Sequence, residues 1–262
     1  MNTYLAVCAI YRDEAPYLRE WIEFHRLVGA EHFYLYDNMS TDSHREILDP
    51  YIDRGIVTLT EWPPFPGQMK AYQHCLEHHR DESRWLAFID LDEFLFSPTG
   101  RALPEILTEF EAWPGVAVTR MIYGTSGHED KPDGLVIESY VKRAYNAHSI
   151  KSIVDPREVT SNVDNPHVFY YRSGFAVDEN KVLIDQPPFH FTPTRSCSLL
   201  RINHYVTKSE SEFAVKLARP RADVGEMRKH KQAPPNYSVV PDEAIVRYVA
   251  PLKRALQEAP GA

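Results

Sequence analysis

The sequence predicts an α/β protein in which helices flank a mostly parallel central sheet. The first hundred residues alternate short apolar runs with segments of helical periodicity. The apolar runs lack the polar alternation of a half-exposed strand, as expected for strands that are buried on both faces. Strands that alternate with helices over short connections form parallel sheets, and such sheets bind ligands beyond the carboxyl ends of their strands.

The elements of this alternating region follow from its hydrophobic pattern. The predicted strands are 4–10, 32–36, 56–60 and 85–89, and the predicted helices are 17–28, 43–54 and 68–80. Gly29 ends the first helix, because glycine commonly follows a helix C-terminus. A rigid, proline-rich loop at 62–67 separates the third strand from the third helix.

Beyond residue 93 the pattern is looser. We expect a strand at 116–123, a polar loop at 124–134, a short strand or helix start at 135–140, short strands and turns at 151–195, helices at 209–218 and 241–257, and a mobile or wrapped loop at 229–237. The last helix is predicted despite Pro251. We therefore expect one domain over 1–262, with a Rossmann-like nucleotide-binding half at about 1–95, an acceptor and metal half at about 96–218, and a C-terminal loop and helix at about 219–262.

Composition and charge exclude several classes of protein. The formal net charge of -8 argues against a general affinity for nucleic acid. Cys8, Cys75 and Cys197 form no CxxC pair, which favours a reducing compartment over a disulfide framework. Cys8 lies in an apolar run and is expected in the core. We find neither a signal peptide nor an apolar run of about 18 residues, so no membrane span is expected.

Two aspartates one residue apart follow the predicted strand at 85–89. Asp90 and Asp92 can both reach one ligand because the chain bends just after the strand. Carboxylates are the hard ligands that Mg²⁺ and Mn²⁺ prefer, and a nucleoside diphosphate needs such a cation when it acts as a leaving group. The alternative is a solvated acidic turn, but the position at the end of a strand favours a metal site.

A second polar cluster follows the second strand, at 37–42. Asp37, Asn38 and Asp42 offer acceptors and donors for a base edge and for ribose hydroxyls. The same residue types also cap helices, so both roles remain open for different side chains of this loop. Arg12 and Glu14 follow the first strand, and their cluster is expected at the same edge of the sheet.

Further candidates carry imidazole or ammonium groups. His204 lies in a strand-like stretch and is a reasonable third metal ligand beside the carboxylates, and Lys208 would contact the diphosphate. Lys70, at a predicted helix start, suits a phosphate or sugar, although a solvated lysine is the alternative. Lys151, Arg157 and His167 are candidates for donor or acceptor contacts or are ordinary surface residues.

These residues resemble one known family, glycosyltransferase family 92, with its close bacterial relatives. The similar segments, in order, are Arg12-Asp13-Glu14, Asp37-Asn38-x-Ser40-x-Asp42, Phe88-Ile89-Asp90-x-Asp92-Glu93-Phe94 and Ile202-Asn203-His204-Tyr205, together with Trp21 to His25 and Lys151 to Val154. The resemblance covers about residues 3 to 218.

The resemblance implies a GT-A fold, a nucleotide-sugar donor such as UDP-galactose, dependence on Mn²⁺ (or Mg²⁺) and inversion at the anomeric carbon. By match, Asp90 would face the ribose or the metal, Asp92 and His204 would bind the metal, and the loop at 37–42 would lie at the nucleoside. The lack of an expected membrane helix fits a bacterial cytoplasmic enzyme that acts on saccharide or glycolipid acceptors, with peripheral contact at the inner face of the membrane.

An inverting transferase needs a general base for the acceptor hydroxyl. Glu129 and Asp130, in the polar loop at 124–134, are the candidates, with Asp155 as a less favoured one. Solvated surface carboxylates are the alternative, and His128 would then contact the acceptor sugar.

Three other functions are compatible with parts of the pattern. A haloacid dehalogenase-type phosphatase also has strand-Asp-x-Asp, but its motif has Thr or Val four residues after the first Asp, where this chain has Phe94. A nucleotidyltransferase would carry a glycine-rich loop after strand one, and residues 11–16 contain no glycine. A binding module that kept the fold and lost turnover remains the non-enzymatic alternative.

Overall fold

The computed structural model describes residues 3–146, 149–162, 166–185, 192–227 and 232–261. The strands in these ranges are β1 (Thr3–Tyr11), β2 (His32–Asp37), β3 (Val57–Glu61), β4 (Ser83–Phe88), β5 (Glu93–Phe96), β6 (Gly115–Ile122), β7 (Lys142–Arg143), β8 (Ser149–Val154), β9 (Val159–Asn162), β10 (Phe169–Tyr171), β11 (Arg201–His204) and β12 (Val240–Pro241). The α-helices are α1 (Ala15–Leu27), α2 (His44–Asp53), α3 (Gln68–His79), α4 (Leu103–Leu107), α5 (Val136–Ser139), α6 (Glu210–Leu217) and α7 (Val249–Glu258).

Within the described part of the chain, eight strands form one sheet in the order β3-β2-β1-β4-β8-β6-β11-β5. The four strands β3, β2, β1 and β4 are parallel to one another, and β6 is parallel to β11. Strand β8 runs antiparallel to β4 and β6, and β5 runs antiparallel to β11. The prediction of an α/β protein, with a mostly parallel central sheet and flanking helices, is confirmed.

The apolar run that predicts β1 is buried on both faces. Leu5 and Val7 belong to a core cluster with Trp21 of α1, whereas Ala6 and Cys8 belong to a second cluster with residues of α3. The alternation of a strand sends neighbouring side chains to opposite faces, so a strand covered on both sides needs apolar residues throughout. Cys8 is fully buried, as predicted.

The boundaries predicted for the first ninety residues agree with the structure to within two residues. The predicted helix at 241–257 is wrong over its first eight residues, because α7 begins at Val249 after a short 3₁₀ turn (Val246–Tyr248). Pro251 therefore lies in the first turn of α7, where proline costs no hydrogen bond. The segment 135–140 forms the short helix α5. Residues 229–231 of the loop predicted at 229–237 lie outside the described residues.

The carboxyl ends of the parallel strands converge on one edge of the sheet. Strands β1, β2 and β4 end there, at Tyr11, Asp37 and Phe88. Strands β6 and β11 run in the same direction as β4, because each pairs with β8 or with a neighbour of β8, and they end at the same edge. All the polar clusters that the sequence places after strands therefore meet at this edge. No helix among the described residues is long and apolar enough to cross a membrane.

Candidate functional site

Asp92 and His204 are brought together by strand pairing. Strand β5 runs antiparallel to β11, with Glu93 opposite His204, and the Tyr205 amide donates to the Asp92 carbonyl at 2.8 Å. As a result, His204 Nε2 lies 3.4 Å from Asp92 Oδ2, and both side chains are largely buried. The juxtaposition that the sequence predicts for these two residues is present in the structure.

Asp90 is held from two sides at the end of β4. Gln68 Nε2 and the Tyr72 hydroxyl, both on α3, donate to Asp90 Oδ1 at 2.7 and 3.3 Å. Lys151 Nζ lies 2.9 Å from the same oxygen, as an ion pair rather than a well-directed hydrogen bond. Burial raises the pKa of Asp90, but Lys151 outweighs it and the net pKa is below the usual value.

A buried carboxylate supports the loop between β4 and β5. Glu93 is fully buried, and its Oε2 accepts from the Asp90 amide at 2.9 Å. Arg120 of β6 donates to Glu93 Oε1 at 2.5 Å, and Lys151 Nζ lies 3.6 Å from Oε2. The carboxylates of Asp90 and Glu93 are therefore paired with the cations of Arg120 and Lys151 beneath the loop. Such pairing is what allows charged groups to be buried.

From its sequence context, Lys151 is expected in an irregular region, either at a donor or acceptor contact or at the surface. The structure corrects this, because Lys151 lies in the central strand β8 and is fully buried. Arg120 was not singled out at all. The available signal is a charged residue inside an apolar strand, as in Val116 to Ile122 and Ile150 to Val154, since such a residue requires a buried partner.

A second lysine, Lys216 of α6, contacts the Asp92 carboxylate. Its Nζ donates to Asp92 Oδ2 and also to the Val206 carbonyl at 3.0 Å. Burial raises the pKa of Asp92, but Lys216 and His204 outweigh it, so the carboxyl pKa is well below its usual value. Lys216 carries no local signal in the sequence, because its partner is 124 residues away along the chain.

Lys208 is buried between Glu14 and an aromatic ring. Its Nζ lies 3.2 Å from Glu14 Oε2 and 3.2 Å from the centroid of the Tyr17 ring. Burial lowers the pKa of this lysine. Its backbone φ of 51° is in the left-handed region, which turns the chain from β11 into α6. Two of the predicted site residues, Glu14 and Lys208, thus form one ion pair beside Asp92.

The loop after β2 uses its polar side chains within the protein. Asp37 Oδ1 accepts from the Ser40 amide at 2.9 Å, and Asn38 Nδ2 donates to the Trp62 carbonyl at 2.6 Å. Asp42 Oδ2 accepts from the Ala15 amide at 2.8 Å, at the start of α1. The helix-capping alternative therefore holds for Asp42. Contact of this loop with a nucleoside stays a prediction.

The remaining candidates are exposed. Arg12 lies 3.8 Å from Asp13, and Lys70 projects from the first turn of α3. Glu129 and Asp130 are exposed, but their loop is fixed, because the Ser211 amide of α6 donates to the Glu129 carbonyl at 2.9 Å. A role for either carboxylate as general base stays a prediction.

Asp155 and Arg157 do not belong to the site. Strand β8 is antiparallel to β4, so its carboxyl end at Val154 pairs with Leu86 and points to the opposite edge of the sheet. Asp155 pairs there with Arg84 at 2.9 Å and with Arg157 at 2.6 Å. The consideration of Asp155 as a general base was wrong, because the sequence does not give the direction of β8.

The donor set at Asp92 and His204 suits a divalent cation that brings other ligands with it. No group of three or more His, Cys, Asp or Glu side chains that could hold a metal ion occurs in the described ranges. One carboxylate and one imidazole nevertheless fit the way Mg²⁺ and Mn²⁺ bind, through few protein ligands plus phosphate oxygens and water. His204 Nδ1 is buried and makes no hydrogen bond to the described residues.

Comparisons with known proteins identify relatives over most of the chain. The sequence model of glycosyltransferase family 92 matches residues 3–217. A glycosyltransferase family 92 protein of Arabidopsis thaliana is 29% identical over 228 residues, which are 82% of this chain and 37% of that protein. Galactan beta-1,4-galactosyltransferase GALS2 of the same plant is 30% identical over 124 residues, 43% of this chain and 24% of that protein.

The chain spans about a third of the length of the family 92 proteins of plants that it matches. Among solved structures, S. aureus TarS 1-349 in complex with UDP-GlcNAc is 14% identical, with a TM-score of 0.37 over 64% of this chain and 45% of that chain.

Proposed function

Because the chain belongs to glycosyltransferase family 92, we propose that it transfers a sugar from a nucleotide-sugar to a saccharide or glycolipid acceptor. The observation that carries the proposal is the pairing of Asp92 with His204 at the carboxyl edge of the sheet, 3.4 Å apart. A carboxylate and an imidazole in contact, with two lysines beside them, suit a diphosphate and its counter-cation.

The proposed donor is a UDP-hexose, such as UDP-galactose, bound together with Mn²⁺ or Mg²⁺. Asp92 and His204 would hold the cation, which when bound offsets the charge of the diphosphate leaving group. Asp90 is less free to bind metal, because Gln68, Tyr72 and Lys151 already engage its Oδ1. Galactose as the donor sugar is supported by relatives whose names give a galactosyltransferase activity, over 43% of this chain or less.

The proposed reaction inverts the anomeric carbon, so a base must take the proton of the acceptor hydroxyl. Glu129 or Asp130 would serve, since their loop is tied to the start of α6 and both carboxylates are open to solvent and to an acceptor. A location in the bacterial cytoplasm, with peripheral contact to the membrane, belongs to the same proposal. It is supported by the free thiols of Cys8, Cys75 and Cys197.

The proposal predicts a nucleotide-dependent and metal-dependent gain in thermal stability. With UDP and Mn²⁺ at about 100 times the Kd, the melting temperature should rise by about 5 °C or more. Asp92→Ala should remain folded and lose this shift, because one of two protein ligands is gone. The matched control is Asp49→Ala, which removes an exposed carboxylate of α2 and should keep the full shift.

Turnover is tested on the same proteins by release of UDP from UDP-galactose, with and without a saccharide acceptor. A shift of equal size in Asp92→Ala and wild type would show that the site is assigned to the wrong residues. A metal-dependent shift without any release of UDP would favour a nucleotide-sugar-binding module with no turnover.

A further inference from the structure

Lys216 and His204 both lie next to the same oxygen atom of Asp92. Lys216 Nζ donates to Asp92 Oδ2, and His204 Nε2 lies 3.4 Å from that oxygen. A cation that bound both Asp92 Oδ2 and His204 Nε2 would have to approach the oxygen that the ammonium already contacts. Lys216 therefore occupies one side of the place that a divalent metal needs.

The ammonium is well placed to hold this position. Its second contact, with the Val206 carbonyl at 3.0 Å, directs it toward Asp92 from the neighbouring turn of chain. The Asp92 side chain is 12% exposed and the Lys216 side chain 27% exposed, so water screens their attraction only in part. A metal ion arriving alone would have to displace a paired ammonium and leave it without an anion.

The cost of displacing the Lys216 ammonium is smaller when the metal ion arrives with a diphosphate. The diphosphate oxygens are anions that can accept the displaced ammonium, so the lysine exchanges one anionic partner for another. Lys216 lies in the last turn of α6, one residue before the helix ends, and its side chain is partly exposed. Metal binding and diphosphate binding would then each favour the other, which is a coupling free energy between two ligands.

We propose that Lys216 is an exchangeable counter-ion of Asp92, which keeps divalent metal off Asp92 and His204 until a nucleoside diphosphate is present. The inference rests on the proposed metal-dependent function, and it assigns to Lys216 a role that a structural lysine would not have. Removal of the ammonium makes the site a better metal site in the absence of nucleotide.

The test measures Mn²⁺ binding to the nucleotide-free protein by the EPR signal of free Mn²⁺. Lys216→Met should bind Mn²⁺ more tightly than wild type by about tenfold or more, because a competing cation has been removed. Lys216→Arg keeps a cation and should bind Mn²⁺ nearly as weakly as wild type. Lys253→Met is the matched control, since Lys253 pairs with the exposed Glu138 at 2.8 Å.

A double variant, Lys216→Met with Asp92→Ala, shows whether the gain occurs at the site, and it should lose the gain entirely. If wild type binds UDP with Mn²⁺ but Lys216→Met gains no affinity for Mn²⁺ alone, the counter-ion role is wrong and the proposed function stands. If neither protein binds Mn²⁺ with or without UDP, both the inference and the proposed metal dependence are wrong.

Discussion

At the scale of single residues, the site depends on charges whose partners lie far away in the sequence. Glu93 and Lys151 are both fully buried and 3.6 Å apart. A buried ion pair adds little stability when it is compared with an apolar pair, but removing one partner leaves a buried charge uncompensated. The position of Asp90, and with it the geometry of the loop, therefore depends on Lys151.

Lys151→Met should destabilise the protein by about 3 kcal/mol, because Asp90 and Glu93 lose a buried cation. Urea unfolding at pH 7 measures the change. Lys253→Met, which breaks an exposed pair, should change the stability by about 0.5 kcal/mol or less. Equal and small effects of the two substitutions would contradict the buried network.

Much of the site could be predicted from sequence, and the missing part has one physical cause. Asp90 and Asp92 stand out because they follow an apolar strand, and His204 because it lies in a strand-like stretch, and both are local patterns. Lys151 and Lys216 do not stand out, because their roles depend on the direction of β8 and on the packing of α6. Neither property is encoded within a short window of residues.

At the scale of elements, α6 links two of the lysines of the site, Lys208 and Lys216. Ser209 begins the helix with a capping box, in which its side chain accepts from the Glu212 amide and Glu212 accepts from the Ser209 amide. Glu212 also accepts from the hydroxyls of Tyr17 and Tyr140. The first turn of α6 is therefore fixed to α1 and α5, and Lys208 lies directly before it.

Ser209→Ala should remove this cap and destabilise the protein by about 1 kcal/mol. Fraying of the first turn should also speed hydrogen exchange at the amides of Glu212 and Phe213, as mass spectrometry of the peptide can show. Ser173→Ala, at an exposed position outside the site, is the control. Unchanged exchange in Ser209→Ala would mean that the tyrosine contacts hold the turn without the cap.

Helix prediction succeeded where the periodic pattern was long and failed where a separate 3₁₀ turn precedes the helix. The helices at 43–54 and 68–80 were found because their apolar residues repeat with helical spacing over three turns. The start of α7 was placed eight residues too early, since Val246 to Tyr248 forms a separate 3₁₀ turn. A helix from residue 241 would place Pro251 in its interior, where proline removes a backbone hydrogen bond, so Pro251 favours the later start that the structure shows.

At the scale of the whole molecule, His25 joins helix α1 to strand β5. The ring is fully buried, its Nδ1 donates to the Trp21 carbonyl at 2.8 Å, and its Nε2 accepts from the Leu95 amide at 3.1 Å. Burial lowers the pKa of His25 to about 3, from an ordinary value near 6.5. A protonated ring could not accept from Leu95, so the folded protein keeps this histidine neutral.

The stability of the whole protein should therefore fall in mild acid. Below pH 6.5 the unfolded chain binds a proton at this histidine and the folded protein does not, so each unit of pH costs about 1.4 kcal/mol until about pH 3. Between pH 6.5 and pH 5 the loss assigned to His25 is about 2 kcal/mol. Half-buried His167, whose pKa burial lowers to about 2, acts in the same direction. Urea unfolding of wild type and His25→Asn at both pH values isolates the contribution of His25, since the variant should lose about 2 kcal/mol less over the interval.

His78→Asn, at an exposed position of α3, is the control and should keep the wild-type dependence of stability on pH. If His25→Asn and wild type lose equal stability between the two pH values, the histidine is not held neutral by the fold, and the acid sensitivity must arise elsewhere.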